Sequence, residues 1–237
     1  MKIASMPGLM GLFLSMAFLT ACVSTDPSKI NFPDNSDKAL VLLRADSVPV
    51  EAFLLVTRFD ETRLTLIDSY PFAGNYILAL PKGGLGTSQY IGRVIDPGTY
   101  AFQNISQQGN WGVCFHNETK SFTVHSGEAV FLGELNALPN LAQLQSLAKA
   151  NGDSVVRLNG PLHHYYDGII PPNITSPIEG SVDFARAKDF EAQSMPTLHG
   201  RLKPVVYKPA RFGTGYSIGG DHICGGYFNE NVKDNPR

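Results

Sequence analysis

The chain is poor in charge and has no basic run. Charged residues make up 17% of the 237 residues, and the formal net charge is −2. A nucleic-acid-binding protein needs a basic patch or stripe, and electrostatic attachment to an anionic membrane needs a cluster of lysine and arginine residues. The sequence has neither, so we expect no nucleic-acid partner and no polybasic membrane signal.

Sequence signatures of common catalytic and metal sites are also missing. The Gly-x-Ser-x-Gly pattern of a serine hydrolase does not occur. Histidine pairs that bind a metal ion favour i, i+2 spacing on strands or i, i+4 spacing on helices, and no such pair occurs among the six histidines. We therefore expect no cofactor and no metal site. The lack of an internal repeat excludes a solenoid.

A hydrophobic run long enough to span a membrane is lacking as well. A spanning helix needs about 20 predominantly apolar residues, whereas the uninterrupted apolar segment from Leu9 to Leu19 is about half that long and follows Pro7 and Gly8. The charged Lys2, the apolar segment and the small residues after it have the layout of a secretory signal. We interpret residues 1–21 as a signal peptide.

The end of this signal, Leu19-Thr20-Ala21-Cys22, resembles the lipobox of bacterial lipoprotein precursors. The resemblance implies that Cys22 is the site of cleavage and lipidation, and that the protein is anchored in a membrane of the bacterial envelope. Multiple acyl chains can hold a protein there without a spanning helix, because each buried methylene contributes about 0.8 kcal/mol. A soluble secreted protein cut near Ala21 is the alternative. Val23-Ser24 after the cysteine resembles the signal for outer-membrane sorting, which implies a domain facing the periplasm.

The sequence divides into three parts. Residues 1–21 are the signal peptide, and residues 22–38 comprise the lipidated cysteine and a tether rich in Ser, Asp, Asn and Pro, without apolar periodicity. Residues 39–237 are ample for one domain with its own core. We predict a single domain there.

Two further cysteines, Cys114 and Cys224, remain once Cys22 carries lipid. Disulfides persist in exported proteins. The even number of cysteines left after Cys22 favours a bond between these two residues. Such a bond would close a loop of roughly 110 residues, to which the chain-entropy model assigns about 4.7 kcal/mol. Two free thiols are the alternative.

Short apolar runs separated by turn residues follow from residue 39 onward. The runs begin about a dozen residues apart, as in an all-β sandwich or barrel, and they cover residues 39–43, 50–58, 63–67, 76–80, 90–95, 100–105, 111–115, 121–124 and 129–135. Alternation places Phe122 and Val124 on one face, with Thr123 and His125 on the other. The run from Phe53 to Val56 does not alternate, which predicts a central strand covered on both faces.

Two helices are predicted after these strands. Leucines recur every three residues from Leu138 to Leu147, with Pro139 in the first turn and Asn151-Gly152 as a stop. A second helix is predicted from Asp183 to Ser194. The fold class that follows is mainly β, an antiparallel β-sandwich with two short helices in the C-terminal half.

Two segments carry a second resemblance. Residues 92–102 contain a Pro-Gly-x-Tyr turn that starts a strand, and residues 122–133 contain a Gly-Glu turn leading to an aromatic strand that ends in Gly133. Together they resemble uncharacterised bacterial envelope lipoproteins with a carboxypeptidase-regulatory-like β-sandwich. Over residues 40–135 the resemblance implies a small sandwich and no catalytic residues.

The densest polar cluster is His163, His164, Tyr165, Tyr166 and Asp167. We predict that it lies on the proline-bounded loop formed by residues 161–177. It could present imidazoles, phenols and a carboxylate to a ligand or a metal ion, or it could be an aromatic-rich packing segment.

Two functional hypotheses follow. The first is a non-enzymatic lipid-anchored envelope protein that binds another envelope protein or the cell wall, or packs within an assembly. The second is an enzyme or a metal-dependent binder that uses the His163 to Asp167 segment. The sequence names no partner for either.

Overall fold

The computed structural model describes residues 26–67, 75–107, 111–150, 164–166, 170–216 and 222–224. The strands of these residues are β1 (Ala39–Asp46), β2 (Ala52–Asp60), β3 (Thr65–Leu66), β4 (Asn75–Ala79), β5 (Ser88–Ile95), β6 (Gly98–Gln107), β7 (Trp111–Cys114), β8 (Thr119–Val124), β9 (Ala129–Leu135), β10 (His164–Tyr166), β11 (Lys203–Pro204), β12 (Lys208–Ala210), β13 (Gly215–Tyr216) and β14 (His222–Ile223). The helices are α1 (Leu138–Ala150) and α2 (Val182–Ser194), with 3-10 turns at Pro27–Lys29 and Pro196–Leu198.

Two sheets contain most of these strands. The first sheet has the order β11-β9-β1-β5, with β1 antiparallel to β5 and parallel to β9. In the second sheet β2 lies between β6 on one side and β3 and β4 on the other. The far side of β6 pairs with both β7 and β8, and β10 and β12 pair in turn with β7 and β8.

This architecture confirms the predicted fold class. Each of the nine predicted apolar runs contains a strand, and both predicted helices are present in the C-terminal half. Most strand pairs are antiparallel, and the pairs β1–β9, β9–β11 and β7–β10 are parallel. No helix of the described residues is long and apolar enough to cross a membrane.

The central core lies between the two sheets. It is built from alternate residues of the facing strands, among them Val41, Leu43, Tyr100, Phe102 and Phe122. Full burial of such a side chain contributes roughly 1.5–3 kcal/mol relative to exposure. Helix α1 adds Leu141 and Leu144 to the same cluster, which explains the leucine spacing in the sequence.

A second cluster covers the outer face of the first sheet. Leu40 and Leu42 of β1 point to this face, opposite Val41 and Leu43, so this strand is buried on both sides. Phe184 and Ala187 of α2 pack on it. A strand covered on both faces needs a continuous apolar run rather than an alternating one, which is what residues 39–43 provide.

The prediction of a tether is wrong for residues 27–38. Pro27 is buried in the first 3-10 turn, and Phe32 is only 1% exposed within the outer cluster. Arg201 donates from Nη2 to the Phe32 carbonyl oxygen at 3.0 Å. Isolated apolar residues such as Ile30 and Phe32 leave no periodic signal, so the sequence pattern could not reveal this packing. Residues 22–25 lie outside the described residues.

The face assignments from sequence are largely confirmed. Phe122 and Val124 are each 1% exposed, whereas Thr123 and His125 are exposed. Strand β2 is central in its sheet, as predicted. Its Phe53 and Leu55 are only half-buried, however, so this strand is not fully covered on both faces.

The turn between β5 and β6 connects the two sheets through Asp96-Pro97-Gly98. Tyr100 is fully buried and donates its hydroxyl proton to the Asp96 carbonyl oxygen at 2.7 Å. A tyrosine that bonds back to the backbone a few residues upstream is the tyrosine corner of β-sandwiches. The Pro-Gly-x-Tyr sequence therefore has a structural role at this corner.

Candidate functional site

The structure places the predicted His163 to Asp167 cluster at a sheet edge. His164–Tyr166 form β10, which pairs in parallel with β7 through His164 and Trp111, Tyr165 and Gly112, and Tyr166 and Val113. The loop prediction is wrong for these three residues, because their backbone is hydrogen-bonded in the sheet. His163 and Asp167 lie outside the described residues.

Cys114 and Cys224 form a disulfide, with a Cα–Cα distance of 5.4 Å. The bond joins the end of β7 to the residue after β14 and is buried with Phe59, Leu66 and Phe212. Gln103 Nε2 donates to the Cys224 carbonyl oxygen, which adds a polar tie at the same point. Cys22, the predicted lipidation site, lies outside the described residues.

An open groove of about 610 Å³ lies along the edge of the sandwich formed by β8 and β12. We call it the edge groove. Its lining consists of residues 118–120, 139, 170–174, 176 and 207–209. Pro139, Pro171, Pro172 and Pro209 are among these residues, and the fixed φ of proline makes the walls stiff.

Hydrogen bonds hold the wall formed by residues 170–176 in place. Thr175 donates its backbone N–H to the Glu134 carbonyl oxygen at 2.9 Å, and Asn136 donates to the Asn173 carbonyl oxygen at 3.0 Å. The buried side chain of Asn140, in the first turns of α1, donates to the Ile170 carbonyl oxygen at 3.0 Å. The wall is therefore fixed to both β9 and α1.

Lys120 is the most constrained charged group of the groove. Its Nζ donates to the Ile174 carbonyl oxygen at 2.7 Å and lies 5.2 Å from the centre of the Tyr207 ring. Burial lowers the pKa of Lys120, because desolvation disfavours the charged ammonium. This lysine ties the wall to β8 and gives one side of the groove a fixed donor.

The neighbouring Tyr207 and Lys208 differ in environment. The Tyr207 hydroxyl donates to the Leu132 carbonyl oxygen, and burial raises the pKa of Tyr207. The Lys208 ammonium is exposed and lies 3.0 Å from a Glu61 carboxylate oxygen. An exposed ion pair of this kind adds little stability, so Lys208 can exchange Glu61 for another acceptor at low cost.

The groove offers hydrogen-bond donors next to apolar surface. Its lysine donors lie beside proline and tyrosine surface, an arrangement that can hold a chain carrying carbonyl or carboxylate oxygens next to apolar groups. The described lining contains neither histidine nor cysteine. Across the described part of the chain, no group of three or more His, Cys, Asp or Glu residues could hold a metal ion.

A smaller depression of about 400 Å³ lies near Arg201, His125 and Lys203. The Arg201 guanidinium forms hydrogen bonds within the fold, because it donates to the carbonyl oxygens of Phe32, Gly127 and Leu198. Arg201 thus fixes the N-terminal segment to the start of β9, and we assign it a structural role.

Sequence reasoning did not identify the edge groove. Lys120, Ile174 and Lys208 come from three segments that are far apart in the chain, and each looks like an ordinary surface or loop residue. Only the pairing of β12 with β8 and the bridge between Ile174 and Leu135 bring them together. The proline-rich segment near residue 171 was the sole local signal.

Comparison of the chain with protein-family models, curated proteins and solved structures finds no match. The functional proposal therefore depends on the chain's own residues and geometry.

Proposed function

We propose that this chain is a lipid-anchored protein of the bacterial envelope whose β-sandwich has a non-enzymatic binding or structural role. The anchor is an N-terminal lipid on Cys22, in the outer membrane and facing the periplasm. The partner is another envelope protein or the cell wall.

The observation that carries the proposal is the disulfide between Cys114 and Cys224. Cys114 and Cys224 are bonded to each other, which fits an oxidising compartment outside the cytoplasm. Of the three cysteines in the chain, Cys22 is the one outside this bond. It stands at the end of Leu19-Thr20-Ala21-Cys22, where a lipoprotein precursor carries its acylated cysteine.

The binding role is supported by the edge groove. Its walls are held by backbone and side-chain hydrogen bonds, so a partner would meet a preformed surface at little cost in ordering. Preformed sites bind with less loss of conformational entropy than mobile ones. The ammonium groups of Lys120 and Lys208 can donate hydrogen bonds to the oxygen atoms of a partner.

Replacement of Cys22 by serine tests the anchor. Serine cannot accept the thioether-linked lipid, so we expect Cys22→Ser to leave the membrane fraction or to accumulate as precursor, and to lose incorporation of labelled palmitate. Fractionation and acyl labelling of intact cells measure both effects. The control is the double variant Cys114→Ser with Cys224→Ser, which keeps the lipid acceptor and should stay in the membrane. Unchanged membrane attachment of Cys22→Ser would refute the anchor.

Site-specific photocrosslinking tests the binding role. A photoreactive amino acid at Pro209, an exposed position of the groove wall, should give a discrete adduct with an envelope component in living cells. The matched control is the same amino acid at Leu85, which is 71% exposed and lies outside the groove lining. Adducts of the same pattern from both positions, or none from position 209, would contradict a partner at this groove.

A further inference from the structure

The N-terminal segment is fixed to the sandwich from Asp26 onward. The Asp26 side chain accepts a hydrogen bond from the Ser28 backbone N–H at 3.1 Å and caps the first 3-10 turn. Pro27 and Ile30 then cover Gly92 of β5 so closely that an added Cβ would lie 2.6 Å from Ile30 Cδ1. An added methyl group would have to displace the end of the Ile30 side chain, so the segment lies directly on the strand.

The chain between the proposed anchor and this fixed point is short. Only residues 23–25 separate Cys22 from Asp26, and four residue steps span at most about 14 Å when fully extended. A folded chain of roughly 200 residues has a radius of gyration of about 16 Å. The connection between Cys22 and Asp26 is therefore too short to let the domain turn its far side to the membrane.

The edge groove lies on that far side. Pro27–Lys29 pack at β5, which is one edge of the first sheet, whereas β11 is the other edge. In the second sheet β4 lies at the same side as β5, and β12 lies beyond β2, β6 and β8. Four strand spacings of about 4.8 Å place β12 roughly 19 Å from β4.

We infer that the side of the domain formed by Pro27–Lys29 and β5 rests against the lipid bilayer, and that the edge groove faces away from it. This orientation rests on the proposed lipidation of Cys22. It deepens the proposed function, because a partner in the groove then lies on the side of the domain away from the bilayer. Such a partner is dissolved in the periplasm or is part of a structure opposite the membrane. A partner confined to the same bilayer, with no domain outside it, would not reach the groove.

Fluorescence quenching from the membrane surface tests the orientation. Lys29 and Val206 are exposed, with 76% of the Lys29 side chain and 81% of Val206 accessible. Lys29→Cys and Val206→Cys each add a single free thiol, because the other cysteines are lipidated or bonded. The purified lipoprotein variants are labelled with a fluorophore and placed in phosphatidylethanolamine and phosphatidylglycerol vesicles that contain a headgroup-nitroxide lipid. Quenching should be several-fold stronger at position 29 than at position 206.

A longer linker provides the internal control. Insertion of a flexible Gly/Ser segment of ten residues between Thr25 and Asp26 should remove most of the difference between the two labels, since the domain then rotates freely. The same insertion between Gly84 and Leu85, in an exposed loop, should leave the difference intact. Mass spectrometry of a non-reduced digest verifies that Cys114 and Cys224 remain bonded in every variant.

The outcomes separate the orientation from the anchor. A protein that fails to bind vesicles, with no acyl chain detected on Cys22, would refute the lipid anchor. A protein that is acylated and vesicle-bound, yet shows equal quenching at both positions or stronger quenching at position 206, would overturn the orientation while the anchor stands.

Discussion

At the scale of single residues, Gly133 shows how one backbone position joins the sheet to the groove. Its φ is +101°, in a region that favours glycine, and an added Cβ would lie 2.0 Å from the Thr175 carbonyl oxygen. The register between β1 and β9 shifts here, from Leu42 opposite Phe131 to Arg44 opposite Glu134. A glycine with positive φ at such a shift is typical of a β-bulge. The bulge brings β9 against Thr175, which belongs to the groove wall formed by residues 170–176.

Gly133→Ala should therefore lower the free energy of unfolding by at least about 2 kcal/mol, because the methyl group meets backbone and the φ is strained. Urea denaturation followed by circular dichroism measures the change. Gly84→Ala is the matched control, since an added Cβ there meets nothing within 4 Å, and its stability should stay within about 0.5 kcal/mol of the parent. Equal stability of the two variants would contradict the close contact at residue 175.

The Asp96 carboxylate is held by two side chains. Lys38 Nζ lies 2.6 Å from one Asp96 oxygen, and the Tyr76 hydroxyl donates to the other at 3.0 Å. Hydrogen bonding to Lys38 and Tyr76 lowers the pKa of Asp96. These contacts, together with the Tyr100 bond to the Asp96 backbone, hold the corner where the chain passes from one sheet to the other.

At the scale of secondary-structure elements, the segment from Pro27 to Lys38 is part of the fold rather than a tether. Phe32 packs in the outer cluster with Leu40, Phe131 and Phe184. Phe32→Ala should lower the free energy of unfolding by about 3–5 kcal/mol, the usual cost of emptying a buried phenylalanine site. Chemical denaturation of the purified domain measures the loss.

Lys29→Ala is the comparison for this variant, because the Lys29 side chain is 76% exposed and its ion pair with Asp26 lies at the surface. It should change stability by no more than about 0.5 kcal/mol. If Phe32→Ala were as mild as Lys29→Ala, the segment would not be packed on the sheet in solution.

The apolar pattern of the elements explains why most of them could be predicted. The end of β8 alternates, with Phe122 and Val124 buried and Thr123 exposed. Residues 39–43 of β1 are apolar throughout and are buried on both faces. Helix α1 buries Leu141 and Leu144 in the central core at the predicted spacing. Each of these signals is local, because a side chain's direction follows from the period of its own strand or helix.

At the scale of the whole molecule, the disulfide ties the C-terminal residues to the second sheet. It spans 110 residues of sequence, and Cys224 follows the short strands β13 and β14, which pair only two residues each. Cys224→Ser should lower the free energy of unfolding by about 2–5 kcal/mol. Residues after about Gly213 should open first, because in the described part of this segment the pairing of β13 with β14 covers only two residues of each strand. Hydrogen exchange read by mass spectrometry locates the opening, and urea denaturation gives its cost.

Cys114→Ser provides the matched comparison, since it breaks the same bond from the other end. The two variants should be destabilised to a similar extent. Recovery of both cysteines as free thiols from native envelope protein, or full protection of the C-terminal residues in Cys224→Ser, would contradict the role assigned to the bond.

The sequence by itself determined the elements that depend on local patterns. Period-2 alternation, leucine spacing and turn residues located strands β1 to β9 and both helices. The even number of cysteines left after Cys22 indicated the disulfide. The tertiary structure alone decided the parallel pairing of β1 with β9, the packing of Phe32, the strand at His164–Tyr166 and the edge groove. These features depend on contacts between segments far apart in the chain. A side chain's burial and a strand's partner are then set by the neighbours that the fold supplies, and no local pattern encodes those neighbours.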